Sequence, residues 1–86
     1  MTTLPPLVVE WLESQRSEGT RTSYEGAIRQ WLDWLPVDVL AAKRSHGDRW
    51  RNHLTADGGA SRTVARKLAT VSSLYDWLES EGHIDR

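Results

Sequence analysis

The stretch from residue 61 to residue 81 limits the possible folds of this 86-residue chain more than any other segment. Its apolar side chains recur every three or four residues, the spacing that places them on one face of a helix: Val64, Leu68, Val71, Tyr75 and Leu78. Ser61 is a candidate N-cap, and Gly82 is a candidate terminator. The pattern predicts a helix about 30 Å long at roughly 1.5 Å per residue, which we expect to form the spine of the domain.

Three shorter helices are predicted before this one. The first covers residues 5–18, with Thr3 as its candidate N-cap and Gly19 as its stop signal. The second covers residues 20–35 and ends before Pro36. Residues 37–43 form a short turn that buries Val39 and Leu40, and a third helix covers residues 48–56.

Strands are not expected, because no segment alternates apolar and polar residues. Residues 57–59, Asp-Gly-Gly, separate the third helix from the fourth. We therefore predict one all-α domain over residues 1–86, a small four- to five-helix orthogonal bundle. Its core is expected to contain Trp11, Trp31, Tyr75 and Leu68, and in the third helix Trp50, His53 and Leu54 are expected to face inward.

Charge is distributed unevenly along the chain, although the formal net charge is only -1. Residues 58–75 carry Arg62, Arg66 and Lys67 and no acid, which gives +3. Residues 76–86 carry four acids against one cation, or -3, and residues 1–18 carry three acids against one cation, or -2. The long helix thus joins an apolar face to a cationic, hydroxyl-rich one, which suits a DNA major groove about 12 Å wide. The alternative interpretation is an ordinary solvated face.

Catalytic chemistry has little support in the sequence. The three histidines, His46, His53 and His83, lack the spacing of metal ligands, and the chain has no cysteine. Both tyrosines lie on apolar stripes, and no glycine-rich phosphate loop is present. We expect no catalytic residues, no metal and no cofactor. No apolar run approaches the roughly 18 residues that a membrane span needs, so we expect a cytoplasmic location.

Two segments together resemble the core-binding, SAM-like domain of tyrosine recombinases of the Xer, integron and phage-integrase type. The first is TRTSY at residues 20–24, followed by Ile28, Trp31 and Leu32. The second is GASRTVARKL at residues 59–68, which continues through LYDWLESEGHI at residues 74–84. The spacing of the second segment is similar to the family pattern over residues 59–84 without a gap. Ala69 and Ser72 depart from that pattern, where the family often has a serine and a basic residue.

The resemblance implies a helical domain that forms half of a C-shaped clamp around double-stranded DNA. Its second and fourth helices approach the major groove, while a separate catalytic domain supplies the tyrosine nucleophile. The chain ends just past Ile84, where the family's inter-domain linker begins, so we expect a monomeric fragment without catalysis. Other recombinase protomers are possible partners of the full-length protein. Carried over by position, the expected DNA-binding residues are Thr20, Arg21, Thr22, Ser23, Ser61, Arg62, Thr63, Arg66, Lys67 and Thr70.

Two other functional classes stay open at this point. A protein-interaction module is one, since small helical bundles also pair with proteins and a fold does not determine function. A large exposed apolar patch without a basic face would favour it. A stand-alone enzyme is the other, and it would need a deep pocket that contains an acid–base pair with perturbed pKa values.

Overall fold

The computed structural model describes residues 3–85, which form four α-helices and one 3₁₀ turn and contain no strand. The elements are α1 (Pro6–Glu13), α2 (Glu18–Trp34), the 3₁₀ turn (Val39–Ala41), α3 (Arg44–Ala56) and α4 (Ser61–Ser80). The Cα radius of gyration is 12.5 Å, close to the value of about 12 Å for a compact domain of this length. The predicted all-α bundle is confirmed.

The boundary between α1 and α2 differs from the sequence prediction. α1 begins after Pro5, without a side-chain cap, and not after Thr3; it ends at Glu13. There the Ser14 hydroxyl and the Gln15 amide both donate to the carbonyl of Trp11, at 2.6 and 2.9 Å. Ser17 then accepts the backbone N–H of Thr20 at 3.3 Å and caps α2.

Because of these side-chain caps, α1 ends five residues earlier than Gly19 had indicated, at Glu13 and not at residue 18. Gly19 lies inside the first turn of α2 and does not end α1.

Helix α3 begins at Arg44, before the predicted start at residue 48. His46, the third residue of the helix, accepts the backbone N–H of Lys43 on Nδ1 at 2.8 Å. His46 thus takes the position that Glu or Gln occupies in the usual capping box. Gly47 is a weak helix former, and it lies between this start and the predicted start at residue 48. Trp50 is buried and Leu54 half-buried as predicted, but His53 is exposed, so its inward placement was wrong.

The turn between α3 and α4 confirms the predicted break. Gly58 adopts a φ of +87°, a conformation that favours glycine. Gly59 packs closely, since a Cβ atom there would lie 2.8 Å from the carbonyl oxygen of Leu54. α4 then begins at Ser61 itself, with Ala60 at the N-cap position and no side-chain cap, which corrects the prediction of Ser61 as the cap. Gly82, with a φ of +76°, follows its end.

The core is built on aromatic rings, and it contains Trp11, Trp31 and Tyr75 as predicted. Trp11, Trp31 and Trp50 are each only 1% exposed. Trp31 lies at the centre, with the ring of Trp50 edge-on at 5.2 Å and that of Tyr75 edge-on at 6.2 Å. Leu68 is half-buried against this cluster. In the 3₁₀ turn Val39 is buried as predicted, whereas Leu40 is 40% exposed.

None of the helices within residues 3–85 is both long enough and apolar enough to cross a membrane.

Candidate nucleic-acid interface

The N-terminal half of α4 presents a cationic surface to solvent. We call this surface, formed by Arg62, Ala65, Arg66 and Ala69, the α4 outer face; all four residues are exposed. The helix turns this side outward because Val64 and Val71 are buried on the other side. Ser61 and Thr63, at the start of the helix, are exposed as well. Between residues 58 and 75 the chain has no acid, so nothing on this part of α4 offsets the two guanidinium groups.

The start of α2 offers hydroxyls rather than a free cation. Thr22 and Ser23 are exposed, and Thr20 is half-buried. Arg21 is used inside the domain. Its Nε donates to the carbonyl of Leu12 at 3.3 Å, and its Nη2 donates to the carbonyl of Gln15 at 3.4 Å. The guanidinium group therefore donates hydrogen bonds to carbonyls at and just beyond the C-terminal end of α1. The sequence pattern did not indicate this structural role.

Two of the expected DNA-binding residues of α4, Lys67 and Thr70, are turned away from the α4 outer face and are at least partly buried. Thr70 is only 3% exposed, and its hydroxyl donates to the carbonyl of Arg66 at 3.0 Å. Its placement beside the cationic face was wrong, because the position faces the neighbouring helices. Lys67 is half-buried and lines a shallow pocket between α2, α3 and α4 that also contains Asp33 and Asp57.

A second basic segment was missed by the sequence analysis. Residues 43–51 carry four cations and one acid, or +3, within nine positions: Lys43, Arg44, Arg49 and Arg51 against Asp48. All four cations are exposed. Their density exceeds that of residues 58–75, so a charge count in a shorter window would have found them.

Helices α3 and α4 border an open groove of about 1040 Å³, which we call the α3–α4 groove. Arg44 and Arg51 line its α3 wall together with one acid, Asp48, and Leu68 and Ser72 line its α4 wall. Toward the C-terminal end of α4, the wall becomes acidic through Asp76, Glu79 and Asp85. The groove therefore has a basic side and an acidic end.

The other two functional classes were a stand-alone enzyme and a protein-interaction module. Few features of the described residues support either class. Within residues 3–85, no three His, Asp or Glu side chains are grouped as metal ligands would be. The large apolar side chains that are most exposed there, Val9, Val37 and Leu40, belong to two separate parts of the chain. The Tyr24 ring stacks on Trp11 at 5.2 Å, and Tyr75 is buried. Single exposed apolar residues are normal on a protein surface and do not indicate a partner.

A comparison with known protein families gives one match. The family model described as "Phage integrase, N-terminal SAM-like domain" matches residues 10–82. The match runs from the middle of α1 to just beyond the end of α4, and so includes both basic segments. No curated protein and no solved structure matches the chain. Since the family model covers most of the sequence, the chain belongs to the phage integrase N-terminal SAM-like domain family.

Proposed function

We propose that this chain is the DNA-binding domain of a tyrosine recombinase of the integrase type. It holds the duplex of a recombination site so that a separate catalytic domain of the parent protein can cut and exchange strands. The observation that carries the proposal is the α4 outer face, where Arg62 and Arg66 are exposed in a stretch without acids.

The shape of α4 suits a major groove. An α-helix fits the groove, which is about 12 Å wide, and alanines at 65 and 69 let the helix backbone come close to the bases. Arg62 and Arg66 are one turn apart, so both can reach phosphates along the same strand. The exposed hydroxyls of Ser61 and Thr63, together with the free N–H groups of the first turn, add further donors for phosphate oxygens.

Strand cleavage is assigned to the separate domain because the tyrosines here are poor nucleophiles. The hydroxyl of Tyr75 is buried and donates to the carbonyl of Val39 at 2.7 Å. Tyr24 is half-buried and stacked on Trp11. The 86-residue chain alone is therefore expected neither to nick nor to relax supercoiled plasmid.

Salt dependence of binding tests the proposal. A fluorescein-labelled duplex of about two helical turns, roughly 20 base pairs, is titrated with the chain at several salt concentrations. Binding in the range of about 10⁻⁴–10⁻⁶ M is expected for the isolated domain. Each lost phosphate contact flattens the slope of log affinity against log salt by about 0.9, so Arg62→Ala and Arg66→Ala should each have that effect.

Arg16→Ala is the matched control, since Arg16 is an exposed cation within the acidic residues 1–18. It should leave the slope unchanged. Absence of binding at low salt, or equal effects of all three substitutions, would contradict the proposal and favour a protein-interaction module.

A further inference from the structure

We propose that α3 supplies a second phosphate-binding surface through Arg44 and Arg51, so that α3 and α4 contact the two strands that border one major groove. The inference rests on the proposed function, because it takes α4 as the helix that enters the groove. It extends the DNA contacts to a helix that neither the family resemblance nor the sequence analysis singled out.

The first observation is how the exposed side chains are arranged around the axis of α4. At about 3.6 residues per turn, Ala65 and Ala69 lie along the middle of the exposed side. Arg62 and Arg66 lie on one flank of this strip, and Leu68 and Ser72 lie on the other flank, where they line the α3–α4 groove. The small residues therefore separate the cations of α4 from the wall that α3 provides.

The second step concerns α3. Arg44 and Arg51 are seven residues apart, two turns of helix, and both line the α3–α4 groove. Packed helices have axes about 8–10 Å apart, and the major groove is about 12 Å wide. A helix packed beside one that occupies the groove consequently lies over the strand at its edge. The guanidinium groups of Arg44 and Arg51 are placed on that side.

Electrostatics allow these arginines to bind phosphate. Arg51 has an ion pair with Asp48 at 3.7 Å, in which both side chains are more than half exposed. Such an exposed ion pair contributes little to stability, so a phosphate can replace the carboxylate. Glu79 and Asp85 repel phosphate and place the duplex toward the N-terminal half of α4, away from the acidic end of the groove.

The test compares two double variants under the same salt titration. Arg44→Ala with Arg51→Ala, and Arg62→Ala with Arg66→Ala, should each flatten the salt slope by about 1.8, or 0.9 per phosphate. Arg49→Ala is the control on the same helix, since Arg49 is exposed but does not line the α3–α4 groove. Its slope should equal that of the unsubstituted chain. Circular dichroism should report an unchanged fold for all of these surface variants.

A duplex with neutral methylphosphonate linkages in one strand then separates the two contacts. When the strand that α3 contacts is neutral, the α3 double variant should no longer flatten the salt slope relative to the unsubstituted chain. The α4 double variant should still flatten it. Neutralising the other strand should do the reverse. Both effects disappearing with the same strand would overturn the two-strand arrangement.

The two proposals fail in distinguishable ways. If only the α4 double variant flattens the slope, α3 makes no phosphate contact and the proposed function stands. If neither double variant changes the slope, the proposed function itself fails.

Discussion

The hydroxyl of Tyr75 in α4 donates a hydrogen bond to the backbone carbonyl of Val39 in the 3₁₀ turn, with an oxygen–oxygen distance of 2.7 Å. The same hydroxyl accepts the indole N–H of Trp31 in α2 at 3.2 Å. Two buried bonds in series therefore link α2, α4 and the segment between α2 and α3. This link adds to the apolar contacts through which α4 packs against the core.

Replacing Tyr75 with phenylalanine tests this link. The substitution keeps the ring and leaves both the Val39 carbonyl and the Trp31 indole without this partner in the core. A buried polar group that loses its partner costs about 1–3 kcal/mol, so we expect the free energy of unfolding to fall by that amount. Urea denaturation followed by tryptophan fluorescence measures it.

Tyr24→Phe is the matched control, because Tyr24 is half-buried and stacks on Trp11 through its ring. Its effect should stay below about 0.5 kcal/mol, as for a surface change. Equal losses for the two substitutions would show that the buried hydroxyl of Tyr75 contributes nothing specific.

The tryptophan at the centre of the core gives the largest expected loss. Trp31→Ala removes a ring that is 1% exposed and that contacts the rings of Trp50 and Tyr75. The expected cost is about 3–5 kcal/mol, much of the stability of so small a domain. Thermal and urea denaturation check it, with Trp77→Ala, a half-buried ring, as the milder comparison. A loss at Trp31 no greater than that at Trp77 would contradict the assigned core.

Replacing either of two glycines with alanine should change the stability of the domain, but in opposite directions. At Gly59 an added Cβ would lie 2.8 Å from the Leu54 carbonyl oxygen and 3.0 Å from Val64 Cγ2, so Gly59→Ala should destabilise the domain by about 1–3 kcal/mol. Gly26 is exposed within α2 and has no atom within 4 Å of that position. Gly26→Ala should stabilise it by about 0.5–1 kcal/mol. Denaturation curves with the same sign for both would refute this distinction.

The histidine at the start of α3 is expected to be replaceable by glutamine but not by alanine. His46 accepts the Lys43 backbone N–H at 2.8 Å, and glutamine accepts the same bond in a capping box. We expect His46→Ala to cost about 1 kcal/mol and His46→Gln to retain more than half of this. Amide hydrogen exchange of residues 44–47 should show faster opening in the alanine variant alone. Equal exchange in both would exclude the capping role.

Replacing Arg21 tests whether this residue has a structural role or contacts DNA. Because its guanidinium bonds the carbonyls of Leu12 and Gln15, Arg21→Ala should lower the free energy of unfolding by about 1 kcal/mol. The salt slope of DNA binding should stay unchanged, in contrast to Arg66→Ala. A slope flatter by about 0.9 in the Arg21 variant would restore the family-based assignment of this residue to the DNA surface.

Much of the fold could be predicted because helical periodicity is a property of short segments. The stripe from Val64 to Leu78 indicated α4 and its buried side, and the tryptophans indicated the core. The helix ends were harder, since they depend on single side-chain caps. Ser17 and His46 form caps that compete with the signals of nearby glycines.

The candidate site was only partly predictable for a related reason. Charge and spacing indicated Arg62 and Arg66, but they gave no information about which polar groups are bonded within the domain. Arg21 and Thr70 are both engaged with backbone carbonyls, which only the packed structure reveals. Arg44 and Arg51 could be found in the sequence as part of a local cluster of cations, but their place on a groove beside α4 is a property of the tertiary fold.

The central claim is that the chain binds duplex DNA through the N-terminal half of α4, which carries the α4 outer face. An NMR titration of the ¹⁵N-labelled chain with an unlabelled duplex of about two helical turns, roughly 20 base pairs at low salt, tests it most directly. The claim predicts shifts of the amide signals of residues 61–69, with residues 1–18 and 76–85 unaffected. Shifts confined to those acidic segments, or no shifts at millimolar protein, would contradict it.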